Sequence, residues 1–253
     1  MTNAPARAGR IIAVASGKGG VGKTWFAITL AHALARQGAH VLLFDGDLGL
    51  ANVDVQLGLM PERDVGEVIS GRMPLENAVL HHEGGFDILP GRSGSGSLAS
   101  LHPAMLERVL AALRGATARY DVVIADLGAG LDRAQRRMAS FSDLLLVIAT
   151  DEPTSLTDAY AVLKLHASDA GAKAPDARIV VNQAGTVVAG ERTFAALRRA
   201  CSTFLGRTPP LAGVIRRDDR VREAIRRQSL LLTRHPATHA AADVEAIATR
   251  LAS

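Results

Sequence analysis

The densest chemistry in the chain is the run Gly17, Lys18, Gly19, Gly20, Val21, Gly22, Lys23, Thr24. It satisfies G-x-x-x-x-G-K-[ST] and sits between an apolar run at residues 11–15 and a helical pattern opening at Gly22. Its glycines let the backbone curl so that successive N–H groups face phosphate oxygens. The helix behind them adds a positive dipole end. In that setting Lys23 would bridge the β- and γ-phosphates of a nucleoside triphosphate, and the Thr24 hydroxyl would coordinate Mg²⁺. Lys18 is a second cation in the same loop; chemistry alone asks only that it help binding in cis.

Carboxylates recur where a triphosphate needs them. Asp45 and Asp47 follow an apolar run at residues 41–44, the place of a switch I that orients water and senses the γ-phosphate. The run at residues 122–124 ends on Ala125 and Asp126, as a Walker B strand does, with Asp126 placed to hold a Mg²⁺-bound water. Gly128 and Gly130 just beyond it supply a flexible switch II. One strand-end aspartate is as often a helix cap. Two of them, each after the correct strand of a phosphate-loop chain, point to hydrolysis.

These groups need a scaffold that delivers strand ends to one edge. Near-continuous apolar runs at residues 11–14, 41–44, 86–89, 122–124, 144–148, 179–181 and 211–215 read as strands buried on both faces. Between them, residues 24–37, 103–114 and 154–167 carry helical periodicity. Alternation of this kind predicts an α/β fold: a doubly wound, mostly parallel sheet flanked by helices, as one domain over residues 1–253 with a flexible start at residues 1–9. Ligands in such sheets lie at the carboxyl ends of the strands. The glycine–serine stretch at residues 91–97 follows a strand and reads as a surface loop, with a nucleotide-side loop as the alternative.

The loop K-G-G-V-G-K-T resembles that of the MinD/ParA family, the deviant Walker A ATPases, and the resemblance runs from Ile11 to the last helix. It implies a SIMIBI-type P-loop fold, slow partner-stimulated hydrolysis of ATP with Mg²⁺, and an ATP-bound homodimer in which Lys18 reaches the phosphates of the opposite subunit. By the family pattern D-x-D-x-G-L-x-N, Asp47 positions the attacking water and Asp45 supports Mg²⁺ beside Thr24 and Asp126. Lys18, Lys23 and Asp47 are thus the catalytic set. Asn182 matches the family's adenine-contacting asparagine, followed by Gln183 where arginine is usual. Arg217 and Asp218 fall at the ribose- and base-contacting positions. No N-K-x-D guanine motif occurs.

Residues 152–160, E-P-T-S-L-T-D-A-Y, together with D-G-D-L-G-L-A-N at 45–52, resemble the flagellar-number regulators FlhG and FleN. That branch implies control of flagellar number or placement. Its partners would be an FlhF-like GTPase, a transcription activator or a basal-body component. Thr154 or Ser155 would cap the helix that follows. The alternative is a ParA-like ATPase that positions cargo by non-specific DNA binding, through Arg216, Arg217, Arg220, Arg222, Arg226, Arg227 and Arg234.

Composition constrains the rest. The chain is 48% apolar and 21% charged, with a net charge of +4. Lysines are only four (Lys18, Lys23, Lys164 and Lys173), and arginine abundance has a codon-usage explanation. The lone cysteine, Cys201, excludes an internal disulfide framework, fits a reducing compartment and suits packing. Residues 1–10 have no apolar signal core, and no run approaches the roughly 18–20 apolar residues of a membrane span. A cytoplasmic protein is expected, recruited to the pole or the inner membrane surface by a partner. The last helix places Val244, Ile247 and Leu251 at core spacing with Arg250 as its one cation, which predicts docking onto the core and weak or indirect membrane binding.

Overall fold

A computed structural model describes residues 9–47, 51–91, 102–170 and 175–252. The expected loop at 92–97 and the expected flexible start at 1–8 lie outside these, as do Leu48, Gly49 and Leu50 of the switch I motif. Gly9 is tied down, its N–H donating to the Thr117 carbonyl at 3.0 Å.

The chain runs β1 (Arg10–Ala15), α1 (Lys23–Arg36), β2 (Val41–Gly46), α2 (Val53–Leu57), α3 (Val65–Ile69), α4 (Leu75–Ala78), β3 (Leu80–His82), β4 (Phe86–Leu89), α5 (Pro103–Ala116), β5 (Val122–Leu127) and α6 (Arg133–Phe141). It continues through β6 (Leu144–Ala149), α7 (Pro153–Ala170), β7 (Asp176–Ala184), α8 (Val187–Leu205), β8 (Leu211–Arg216), α9 (Asp219–Arg226), α10 (Leu231–Arg234) and α11 (His239–Ala252). Strand order in the sheet is β3-β4-β2-β5-β1-β6-β7-β8. Every neighbouring pair is parallel except β3 against β4 at the edge. The fold is therefore the doubly wound, mostly parallel α/β sheet expected.

Alternation along each strand feeds two apolar layers. Ile12, Val14, Leu43, Ile124 and Leu146 face α1 and α11, whereas Ile11, Ala13, Leu42, Phe44, Val123 and Leu145 face the layer that holds α5 to α8. Strands sandwiched this way have no polar face, which is why β1, β2, β5 and β6 read as unbroken apolar runs. Helix α11 docks on the core as expected. Val244, Ile247 and Leu251 are buried, and Gly213 of β8 is glycine because a Cβ there would stand 2.5 Å from Ile247.

One local expectation fails. Helix α7 starts at Pro153, which suits a first-turn position because its missing N–H has no helical partner to lose. Thr154 and Ser155 thus lie inside the helix and do not cap it. The buried Ser155 hydroxyl accepts the Thr150 N–H at 2.9 Å, and Thr154 faces the phosphate loop.

Candidate functional site

Read across the sheet, six adjacent strands deliver the expected residues at their carboxyl ends. β2 brings Asp45 and Asp47, β5 Asp126, β1 the glycine loop, β6 the turn to Glu152, β7 Asn182 and β8 Arg217. The order reverses about β1, flanked by β5 and β6, so the loop occupies the crevice where such sheets bind ligands.

The loop is held from three sides. Ser16 Oγ donates to the Lys18 carbonyl at 2.9 Å, and the Gly130 N–H of the switch II segment donates to the Ser16 carbonyl at 3.1 Å. From β7, Asn182 Nδ2 donates to the Val21 carbonyl at 2.8 Å and Gln183 Nε2 to that of Gly20 at 3.3 Å. Gly22 is indispensable here. Its φ of +88° is left-handed, and a Cβ would stand 2.5 Å from Asn182 Nδ2. Asn182 is buried, and its Oδ1 accepts the Gln183 N–H at 2.9 Å. The amide expected at the base clasps the loop, and Gln183 beside it adopts φ +58°.

Lys23 is buried at the start of α1, and its ammonium meets Asp126 Oδ1 at 2.8 Å. Asp126 is fully buried, and its Oδ2 has no partner among the described residues. Asp45 pairs with Asp126 in the β2–β5 register. Its carboxylate accepts N–H bonds from Asp47 at 3.1 Å, Asn52 at 2.9 Å and Val53 at 2.9 Å. Burial, and then the charge of Asp126, push the Asp45 carboxyl up to about 7 against the pull of those N–H bonds. Thr24 lies half-buried on the first turn of α1. An orphaned buried carboxylate oxygen beside a second carboxyl held above its usual range is a hard-oxygen setting that a divalent cation satisfies, so Thr24, Asp45 and Asp126 fit Mg²⁺. Asp47 is half-buried and faces switch II; a Cβ on Gly128 would stand 3.2 Å from its Oδ1.

Lys18 lies at the rim. Its ammonium bonds the Glu152 carboxylate and, at 3.0 Å, the Thr154 hydroxyl. Beside the loop opens a cleft of about 270 Å³, walled by Trp25, Gln183, Arg217, Asp218 and Arg222 among others. Trp25 Nε1 is buried there without a partner among the described residues. Arg217 is exposed, while Asp218 caps α9, its Oδ1 accepting the Arg220 N–H at 3.0 Å. A larger cavity of about 670 Å³ lies at the β4 edge by His81, Asp87 and Tyr120, off the row of strand ends. It holds no residue of this constellation.

In the basic segment, Arg216 pairs with Asp243, while Arg220 and Arg234 share Glu223. Arg217, Arg222, Arg226 and Arg227 make no salt bridge among the described residues. Sequence reasoning missed Glu152 and Thr154 as partners of Lys18, and Trp25 and Gln183 as walls of the cleft. The nine-residue match at 152–160 marked the first pair as special without saying what they touch.

Residues 12–231 match the CobQ/CobB/MinD/ParA nucleotide binding domain. The chain is similar to the antiactivator FleN of Pseudomonas aeruginosa, with 38% identity over 244 residues, 96% of this chain and 86% of FleN. It is also similar to the flagellum site-determining protein YlxH of Helicobacter pylori, with 32% identity over 160 residues, 63% of this chain and 54% of YlxH. Among solved structures, the cell division ATPase MinD of Pyrococcus furiosus shares the fold at a TM-score of 0.79, with 24% identity, covering 96% of this chain and 98% of MinD.

Proposed function

Since this chain belongs to the CobQ/CobB/MinD/ParA nucleotide-binding family and is an ATPase that uses ATP and Mg²⁺, we propose that it is a switch whose ATP-bound homodimer regulates flagellar number or placement. The observation that carries this is the 38% identity to FleN, sustained over 96% of the chain. Proteins of the family dimerise and act through regulatory partners. For this chain an FlhF-like GTPase, a transcription activator or a basal-body component is the proposed partner. All eight strands among the described residues join one sheet, which supports reading residues 1–253 as one ATPase domain.

The placements above support the following chemistry. Loop N–H groups from Gly17 to Thr24 and the Lys23 ammonium hold the β- and γ-phosphates, and Lys23 exchanges Asp126 for phosphate oxygen as it does so. Thr24, Asp45 and Asp126 hold Mg²⁺, which when bound offsets the phosphate charge. Asp47 orients the attacking water. Lys18 from the partner protomer completes the charge around the γ-phosphate, as an arginine finger does elsewhere. The base takes the cleft beside Trp25, Asn182 and Gln183, with Arg217 and Asp218 at its rim.

No described helix is long and apolar enough to cross a membrane. We place the protein in the cytoplasm, with any polar or membrane recruitment made through a partner. A second reading draws on the four arginines that make no described salt bridge: non-specific DNA binding for ParA-like cargo positioning. The deciding experiment is deletion of the gene in its host. Altered flagellar number or placement with normal chromosome and plasmid segregation is expected. A segregation defect with normal flagella would reverse the assignment.

A further inference from the structure

Glu152 and Thr154 have no task in the phosphate chemistry, yet they are the residues that hold Lys18. The support beneath them is firm. Pro153 opens α7, Ser155 Oγ ties the helix to Thr150 at 2.9 Å, and Gly17 packs so close to α7 that a Cβ would stand 2.5 Å from the Asp158 carbonyl oxygen. The loop and the start of α7 are therefore packed directly together, and Lys18 bonds within that unit. The Lys18 hydrogen bond and charge, with a smaller pull from Arg217, draw the Glu152 carboxyl below its usual range.

We propose that Glu152 and Thr154 are positioning residues that latch Lys18 in cis, and that ATP-driven dimerisation opens this latch so that the ammonium crosses to the partner's phosphates. The inference rests on the trans role of Lys18 proposed above. One ammonium does not serve the carboxylate and a distant phosphate together, so the two states exclude each other. The latch is also built to release. The Lys18 and Glu152 side chains are 37% and 59% exposed, so water takes up both groups when they part. An exposed pair shifts an equilibrium by only about 1.4- to 5-fold. Two latches open per dimer, so the combined bias is the square of that, about 2- to 25-fold.

The test measures the dimer dissociation constant of the full chain with a non-hydrolysable ATP analogue, by sedimentation. Glu152→Gln is expected to tighten the dimer about 2- to 25-fold, Thr154→Val by less, and Glu152→Asp, which keeps the charge, to stay near wild type. A second readout is acylation of Lys18 by an amine-reactive ester without nucleotide, scored by mass spectrometry against the exposed Lys164. It should rise in Glu152→Gln. An unchanged or weakened dimer in Glu152→Gln overturns the latch, as does unchanged acylation. Lys18→Ala separates the two ideas. If it dimerises like wild type, the trans role itself fails; if it blocks dimerisation while Glu152→Gln changes nothing, the latch alone fails.

Discussion

Asp126 holds one oxygen against Lys23 and leaves the other buried without a described partner. An unsatisfied buried acceptor costs about 1–3 kcal/mol, so the pair is poised to exchange into a richer set of bonds when Mg²⁺ and phosphate arrive. Asp126→Asn keeps the shape and removes the charge. Turnover at saturating MgATP, followed by phosphate release, should fall by at least about 100-fold, the usual loss when a charge-stabilising group is removed. His32 presents the opposite case. It is buried on α1, its Nδ1 has no described partner, and burial followed by the Arg36 charge depresses its pKa to about 4. Between pH 6.5 and 4 the His32 of the unfolded chain takes up a proton that the folded one refuses, so the His32 contribution to stability is full above pH 6.5 and declines as pH falls, against the opposite contribution of Asp45. The decline reaches about 3 kcal/mol. Urea unfolding at pH 7.5 and 5 checks this: His32→Leu should flatten the difference, and an equal slope in wild type and variant would exclude His32 as its source. The phosphate loop is legible because its residues are contiguous and their types are dictated by backbone curvature and charge. The contact between Lys18 and Glu152 spans 134 positions, and no local rule of spacing brings them together.

At the scale of elements, the central strands announce themselves because burial on both faces leaves no room for polar residues. β3 does not, being three residues at an edge with two histidines and only partial burial. The short helices α2, α3 and α4 are likewise silent, since four or five residues do not develop a helical period. Thr154 and Ser155 resemble caps by composition, but Pro153 sets the helix start and frees their hydroxyls for Lys18 and Thr150. Helix α11 turns its apolar stripe inward, with Val244, Ile247 and Leu251 all buried. Ile247→Ala should therefore cost about 2–5 kcal/mol of folding stability, read from chemical denaturation midpoints. A cost near zero would mean that α11 is not part of the core. The same inward stripe leaves the helix little to insert between lipids.

For the whole molecule, adjacency of strand ends gathers switch I, Walker B, phosphate loop, the proposed base cleft and the arginine rim at one edge of the sheet. A partner that meets this edge therefore senses the nucleotide directly, and that is the basis for expecting a second copy to dock there. Asp47→Ala should hold the ATP-loaded protein as a dimer, because phosphates and Mg²⁺ keep their proposed anchors while water loses the carboxylate proposed to orient it. Light scattering with ATP over an hour should show the variant's dimer persisting and that of wild type decaying. Equal decay would move the water-positioning role elsewhere. Trp25, whose indole N–H is unpartnered among the described residues, stands in the wall of the cleft and is the only tryptophan in the chain. With the nucleotide in the proposed cleft, all indole fluorescence would originate in its wall, and the unlabelled protein would carry its own optical gauge of occupancy.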